Sequence, residues 1–138
     1  MHSRIYNLDE TNYTEDEVYE MVKDVCPLMD YVNEDTDTDG DCEWLGNALP
    51  VKGRTITITK EKAIKHWNGI FNEVKRLANE GLSFDNLYTV QRLLNDRTGF
   101  LLILDRGVYP LDEFLRYVAQ GIIAEGEYTV YKTYDYHF

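Results

Sequence analysis

The stretch RTITITKEKAIKHWNGIFNEVKRLANEG, residues 54–81, places a strand directly before a long helix. After Arg54, threonine and isoleucine alternate in residues 55–59, and alternating β-branched side chains are typical of a half-buried strand, here 54–59. Thr59 then stands where a helix N-cap is expected, and Gly81 stands where that helix should end. Between them, apolar residues at helical spacing predict one buried face, made of Ile64, Trp67, Ile70, Phe71, Val74, Leu77 and Ala78.

The chain after Gly81 continues with a helix and a strand. Ser83 is expected to cap a third helix. The apolar residues of that helix are Phe84, Leu87, Val90 and Leu94. The following run Phe100–Leu104 is apolar throughout, which predicts a central strand that is covered on both faces.

The last forty residues predict one more helix and one more strand. Pro110 suits the first position of a fourth helix, because its missing N–H is not needed there, and Gly121 marks the end of that helix. Residues 127–138 alternate strictly and predict a single final strand. Tyrosine is frequent at protein interfaces. One possible function is therefore contact with a partner through the tyrosines of this strand, namely Tyr131, Tyr134 and Tyr136.

The N-terminal third predicts a short strand, a helix and a loop. Residues 3–8 form the strand, and Thr14 with Glu17 forms a capping box. One helical face follows, made of Val18, Met21, Val22, Val25 and Met29. Pro27 should kink or restart this helix, and Asn33–Asp41 has no periodicity and is expected to be a loop.

Together these elements predict an α+β fold in which a small mixed sheet is packed by about four helices. The length of 138 residues suits a single compact domain, 1–138. Within it we distinguish an acidic helix and loop, residues 1–43, from a main α+β core, residues 44–138. Cys26 lies on the apolar helix face and is expected to be a buried free thiol.

The charge balance excludes several classes of function. The chain carries 25 acidic and 14 basic side chains, a formal net charge of −11. Direct binding to nucleic acid or to an anionic membrane needs Lys and Arg, so neither is expected. No apolar run approaches the roughly 20 residues of a membrane span, and the first ten residues resemble no signal peptide. We therefore expect a cytoplasmic protein.

The negative charge is concentrated in the first third of the chain. Residues 1–43 contain 14 acidic side chains and two basic ones, whereas the remainder is nearly neutral. Such asymmetry indicates an interaction surface, and the partner expected for it is a basic protein. Head-to-tail contact between copies, giving a homo-oligomer, is a second consequence of the same asymmetry.

The acidic segment matches nucleic acid in its linear charge density. Residues 15–34 hold seven carboxylates over about 30 Å of helix, and a DNA strand carries one phosphate per 3.4 Å. We therefore expect a phosphate mimic that blocks a nucleic-acid-binding protein, like the phage or mobile-element inhibitors of anti-restriction and anti-CRISPR type or the nuclease-immunity proteins. The predicted partner-binding residues are Glu17, Glu20, Asp24, Asp30, Glu34, Asp35, Asp37, Asp39 and Asp41. The alternative is an ordinary solvated acidic surface.

Residues 35–40, Asp-Thr-Asp-Thr-Asp-Gly, resemble the opening of an EF-hand calcium loop. The resemblance ends there, because the twelfth position, which should be a bidentate Glu, is Gly46. The alternative function is therefore a calcium-responsive binding protein with a non-standard site. Its Ca²⁺ ligands would be Asp35, Asp37, Asp39 and Glu43. A solvated loop explains the same residues without calcium.

Catalytic patterns are weak, and we expect a protein that is not an enzyme. Ser3 and Ser83 lie outside any Gly-x-Ser-x-Gly motif, and no glycine-rich phosphate loop follows a strand. His66 has no carboxylate or thiol partner that the sequence predicts. No cofactor is expected other than the Ca²⁺ of the alternative, calcium-responsive function.

Overall fold

The computed structural model describes residues 1–35, 51–95 and 99–138, and the α+β class is confirmed. Eight strands and four helices occur in these ranges. In chain order they are β1 (His2–Asn7), α1 (Glu15–Val22), β2 (Tyr31–Glu34), β3 (Val51–Lys52), β4 (Thr55–Ile58), α2 (Lys60–Glu80), α3 (Phe84–Leu94), β5 (Leu101–Leu104), β6 (Gly107–Pro110), α4 (Leu111–Ala119), β7 (Gly126–Thr129) and β8 (Lys132–His137).

The strands form two sheets. The larger sheet has the order β2-β8-β1-β5-β6, and the smaller has the order β3-β4-β7. In the larger sheet β1 pairs in parallel with β5 and antiparallel with β8, so the sheet is mixed. The smaller sheet is antiparallel throughout. Within the described residues, no helix is both long enough and apolar enough to cross a membrane.

The larger sheet is covered on both faces because its strands alternate. Ile5, Leu101 and Ile103 point to one face, where they pack against Val18 and Val22 of α1. The neighbouring residues Tyr6 and Leu102 point to the other face. There they meet the smaller sheet, α2 and α4, which supply Ile56, Ile58, Ala63, Trp67, Phe114, Leu115 and Val118. The prediction that β5 is covered on both sides is confirmed, and α1 lies across the sheet from α2.

The predicted helix caps are present. The side chains of Thr14, Thr59 and Ser83 each accept a hydrogen bond from the backbone N–H three residues on, at 3.2 Å. Gly81 ends α2 with a φ of 101°, a conformation in which a Cβ atom is unfavourable. Pro110 differs slightly from expectation: it is the N-cap of α4, because it still pairs with Leu101 as the last residue of β6.

Helix α1 ends at Val22, earlier than its apolar pattern suggests. Turns follow it, with Cys26 N donating to Val22 O at 2.9 Å and Met29 N donating to Cys26 O at 3.1 Å. Cys26 and Met29 are still buried in the core, so the apolar face is real although the helix is short. Cys26 is a free thiol, as expected.

Two strand predictions were wrong. Asn33 and Glu34, predicted to begin a loop, belong to β2 (Tyr31–Glu34), which pairs with β8 at the edge of the sheet. The final alternating stretch is two strands, β7 and β8, in different sheets. The chain crosses between the sheets at Val130, which is fully buried and whose N–H donates to Arg54 O at 2.7 Å. Tyr134 and Tyr136 are also fully buried, so of the three interface tyrosines only Tyr131 is exposed.

The division into residues 1–43 and 44–138 is one of charge and not of packing. β1 lies between β8 and β5 in the larger sheet, and α1 and β2 complete one side of the core. The described part of the acidic segment, residues 1–35, is therefore an integral part of the domain.

Candidate functional site: the acidic surface around helix α1

Four exposed carboxylates stand together on α1 and the turn that follows it. Val18 and Val22 turn one side of this helix into the core, which leaves the opposite side to solvent. We call that exposed set the acidic surface, and its members are Asp16, Glu17, Glu20 and Asp24. Glu20 contacts Lys23 one turn away, an exposed pair of the kind that contributes little to stability.

A groove of about 410 Å³ runs beside the acidic surface. Asp16, Glu17 and Glu20 line one part of it, and the remaining lining comes from Tyr13, Met21 and Arg106. Its surface is mainly apolar, although charged groups surround it. This arrangement offers an apolar contact area that is bordered by negative charge.

The segment before α1 is held by side chains from β8. Tyr134 donates its hydroxyl to Tyr13 O at 2.5 Å, and Lys132 donates to Asn12 Oδ1 at 2.9 Å. On β2, the backbone N–H of Glu34 donates to Glu15 Oε1 at 2.7 Å. The start of the helix is thereby fixed to the sheet, and the acidic surface has a defined orientation.

Arg106 reaches the groove from the tight turn between β5 and β6. Asp105 and Arg106 have φ values of 50° and 66°, which side-chain-bearing residues rarely adopt. The carboxylate of Asp9 accepts the backbone N–H groups of both residues, at 2.7 Å and 3.0 Å, and the hydroxyl of Tyr13 at 2.8 Å. Asp9 thus joins this turn to the floor of the groove.

Two ionisable groups report this environment. Burial alone would raise the pKa of Asp9, but the hydrogen bonds from Arg106, Tyr13 and Asp105 outweigh burial and lower it. Burial, together with the negative charge of Glu34, Glu17 and Glu15, raises the pKa of Tyr134 to about 12. Nearby carboxylates disfavour the phenolate, so the charges of α1 and β2 act in the same direction as burial.

The structure describes six of the nine predicted partner-binding residues. Three of them lie along the edge of the sheet and face cationic or titratable groups of the same chain. Asp30 Oδ2 lies 2.8 Å from His137 Nδ1, Glu34 Oε2 lies 2.9 Å from Lys132 Nζ, and Asp35 Oδ2 lies 3.1 Å from Arg4 Nε. The pairing of β2 with β8 places basic groups of the same chain beside these three acids, and their part in partner binding stays a prediction.

The other predicted positions, Asp37, Asp39, Asp41 and Glu43, lie outside the described residues. Within the residues that are described, no group of three or more His, Cys, Asp or Glu side chains could hold a metal ion. Asp35, the first residue of the proposed calcium loop, directs its carboxylate at the guanidinium of Arg4. Calcium binding would compete with that ion pair.

A second cluster involves His66, for which the sequence predicted no partner. His66 Nε2 lies 2.6 Å from Asp112 Oδ1, and the indole N–H of Trp67 donates to Asp112 O at 2.9 Å. The pair lines an open groove of about 350 Å³ with residues of α3, including Arg92. The carboxylate of Asp112 thereby fixes the orientation of the His66 imidazole ring. The sequence does not reveal this partner, because the two residues are 46 positions apart on different helices.

Comparison of the chain with models of protein families, with curated proteins and with solved structures finds no match.

Proposed function

We propose that this protein is a small acidic inhibitor, which binds a basic nucleic-acid-binding protein through the acidic surface and blocks its nucleic-acid site. The observation that carries the proposal is the set of four exposed carboxylates beside a mainly apolar groove. The inhibitor acts in the cytoplasm by binding alone and catalyses no reaction. It belongs functionally with the phage or mobile-element inhibitors of restriction and CRISPR nucleases or with nuclease-immunity proteins.

The charge density of the acidic surface supports this proposal. Asp16, Glu17 and Glu20 are spread over about 6 Å of helix axis, given a rise of 1.5 Å per residue. A DNA strand carries one phosphate per 3.4 Å, so a groove that accepts phosphates meets a similar density of negative charge here. Matching potentials of this kind steer encounter and choose between partners more than they raise affinity.

The groove supports a protein as the partner rather than a small cation. Met21 offers part of its thioether side chain beside the carboxylates, above the buried ring of Tyr13, and methionine is enriched at protein interfaces. An apolar contact of this kind supplies the affinity that screened surface charges do not supply on their own.

The experiment is displacement of labelled DNA from three basic proteins: a restriction endonuclease, a guide-loaded CRISPR nuclease and a nuclease toxin. Fluorescence anisotropy is followed in about 0.15 M salt, where charges separated by more than about 8 Å are screened. We expect the protein to displace DNA from at least one of the three. If the protein displaces DNA from none of the three, the inhibitor function is refuted.

A charge-reversal variant tests the surface. Glu17→Lys, Glu20→Lys and Asp24→Lys together should weaken displacement by at least about tenfold, because each substitution replaces attraction by repulsion at the interface. The matched control changes the net charge equally at exposed residues elsewhere, with Glu61→Lys, Glu80→Lys and Glu127→Lys. Equal loss in both variants would show that net charge alone matters. Full displacement by the first variant would exclude the acidic surface.

A further inference from the structure

Helix α3 exposes three of the four apolar side chains that its sequence pattern groups together, and Tyr88 beside them. Phe84 is 93% exposed and Tyr88 is 64% exposed, and Leu87 and Leu94 are about half exposed. All residues of α3 are described, and none of them is buried. The four apolar residues lie within about one third of the helix circumference at 100° per residue. A continuous apolar strip on a helix surface is typical of a protein interface.

An apolar groove lies at the C-terminal end of this strip. It is lined by Leu94, by Ile64, Trp67 and Phe71 of α2, and by Arg116, Ala119 and Gln120 at the end of α4, around about 470 Å³. Phe71 is itself 56% exposed. A cavity of about 150 Å³ holds a benzene ring, so this groove is large enough for a phenyl side chain.

The charges of α3 are self-complementary in one orientation. Asp85 near its start and Arg92 near its end are seven residues apart, about two turns, and so lie on the same flank of the apolar strip. When two copies of such a helix pack antiparallel about a twofold axis, equivalent flanks meet. Asp85 of each copy then faces Arg92 of the other.

We propose that the protein forms a symmetric homodimer through antiparallel packing of α3 against α3 of a second copy. The register that sets Asp85 opposite Arg92 also sets Phe84 opposite residue 93, next to Leu94 at the groove. Each Phe84 therefore enters the groove of the other copy. The pairing of Asp85 with Arg92 and the fit of Phe84 into the groove thus favour the same register of the two helices.

The exposed surface is of the size that a dimer requires. At roughly 200 Å² for a whole aromatic side chain, the exposed parts of Phe71, Phe84 and Tyr88 amount to about 400 Å² per copy. Two copies would bury about 800 Å² from these rings, and the leucines bring the total toward the 1,200 Å² of a small specific interface. Such an interface is consistent with a Kd in the micromolar range.

The dimer leaves the acidic surface accessible. Helix α1 packs on one face of the larger sheet, whereas α2, which α3 contacts, packs on the other. The proposal is thus independent of the inhibitor function, and a dimer would display two acidic surfaces that point away from its interface.

Sedimentation equilibrium of the full chain tests the proposal, at concentrations from about 1 to 100 μM. We expect a monomer–dimer equilibrium that persists in 1 M NaCl. Phe84→Asp should abolish the dimer without unfolding the protein, because Phe84 is almost fully exposed. Leu28→Asp, at an exposed leucine on the α1 side of the sheet, is the matched control and should keep the dimer.

A charge exchange tests the register. Asp85→Arg and Arg92→Asp should each raise the Kd by about tenfold, since each substitution acts on both symmetric pairs. The double variant should recover most of the lost affinity, with circular dichroism confirming that α3 stays helical in all three. A monomer throughout, a dimer that survives Phe84→Asp, or no recovery in the double variant would each overturn the proposal. A dimer that dissociates in high salt would indicate head-to-tail contact between acidic and basic segments instead.

Discussion

Asp9 offers the sharpest test of how the acidic surface is held in place. Its carboxylate accepts hydrogen bonds from Asp105 N, Arg106 N and the Tyr13 hydroxyl, at 2.7, 3.0 and 2.8 Å. Both turn residues have positive φ, and this conformation costs about 1–2 kcal/mol for a residue with a Cβ atom. We infer that Asp9 offsets the strain of the turn, and that removing its carboxylate destabilises the whole domain.

The expected loss follows from the number and type of these bonds. A hydrogen bond to a charged group contributes about 1.5–3 kcal/mol, but Asp9 is partly exposed and water can replace some of what is lost. We therefore expect Asp9→Ala to lower the free energy of unfolding by about 2 kcal/mol, or the Tm by about 6 °C. Asp9→Asn keeps an acceptor oxygen and should lose about half as much.

A second substitution separates strain from hydrogen bonding. Arg106→Gly removes the strain that a Cβ atom causes at positive φ, and it should itself stabilise the protein by up to about 1 kcal/mol. In that background Asp9→Ala should cost less than in the native chain, because there is less strain to offset. Urea unfolding of the four proteins measures the cycle. A loss below about 0.5 kcal/mol for Asp9→Ala would refute the reasoning, since three bonds to a carboxylate contribute more than that.

The same residue predicts a pH dependence of definite sign. The pKa of Asp9 is lowered from its ordinary value of 3.8, so the folded state binds fewer protons there than the unfolded state. Its contribution is complete at neutral pH and is lost as the pH falls through the lowered pKa. The advantage of the native protein over Asp9→Asn should therefore shrink below about pH 4, and an advantage that stays constant down to about pH 2 would contradict the assignment.

Two further predictions concern the acidic edge of the larger sheet. Arg4→Met should lower the free energy of unfolding by about 2 kcal/mol, because it leaves the partly buried carboxylates of Asp35 and Asp135 without their shared guanidinium. Arg76→Met removes two exposed ion pairs and is the control, with an expected loss below about 0.5 kcal/mol in the same urea experiment. For the calcium alternative, we expect no calcium-selective rise in Tm when melts in EDTA, Ca²⁺ and Mg²⁺ are compared, because Asp35 is already paired with Arg4. A selective rise would establish a site in residues 35–43.

Local signals predicted much of the fold. The capping residues Thr14, Thr59 and Ser83 act on N–H groups three positions away, so the sequence contains both partners of each bond. The apolar run of β5 was equally informative, because a strand that is covered on both faces has no polar side to show. Information of this kind needs no knowledge of the distant chain.

The errors arise where distant segments decide the outcome. Alternation continues through Val130 without interruption, so nothing local reveals that β7 and β8 belong to different sheets. Glu34 has the same sequence character as Glu17, yet only the register of β2 against β8 places Lys132 beside it. Periodicity likewise identifies the apolar face of α3 but does not say whether the fold covers it.

The placement of β1 has a consequence for how the domain folds. Its two neighbours in the sheet are β5 and β8, and the ion pair of Arg4 with Asp135 joins residues 131 positions apart. Closing so long a loop is entropically unfavourable, and domains dominated by such contacts fold slowly. Until β8 arrives, β1 exposes an unpaired edge and much of its apolar surface. β1 can therefore complete its pairing only after β8 has been synthesised. Before that, the nascent chain exposes an unpaired strand edge and is most prone to aggregation.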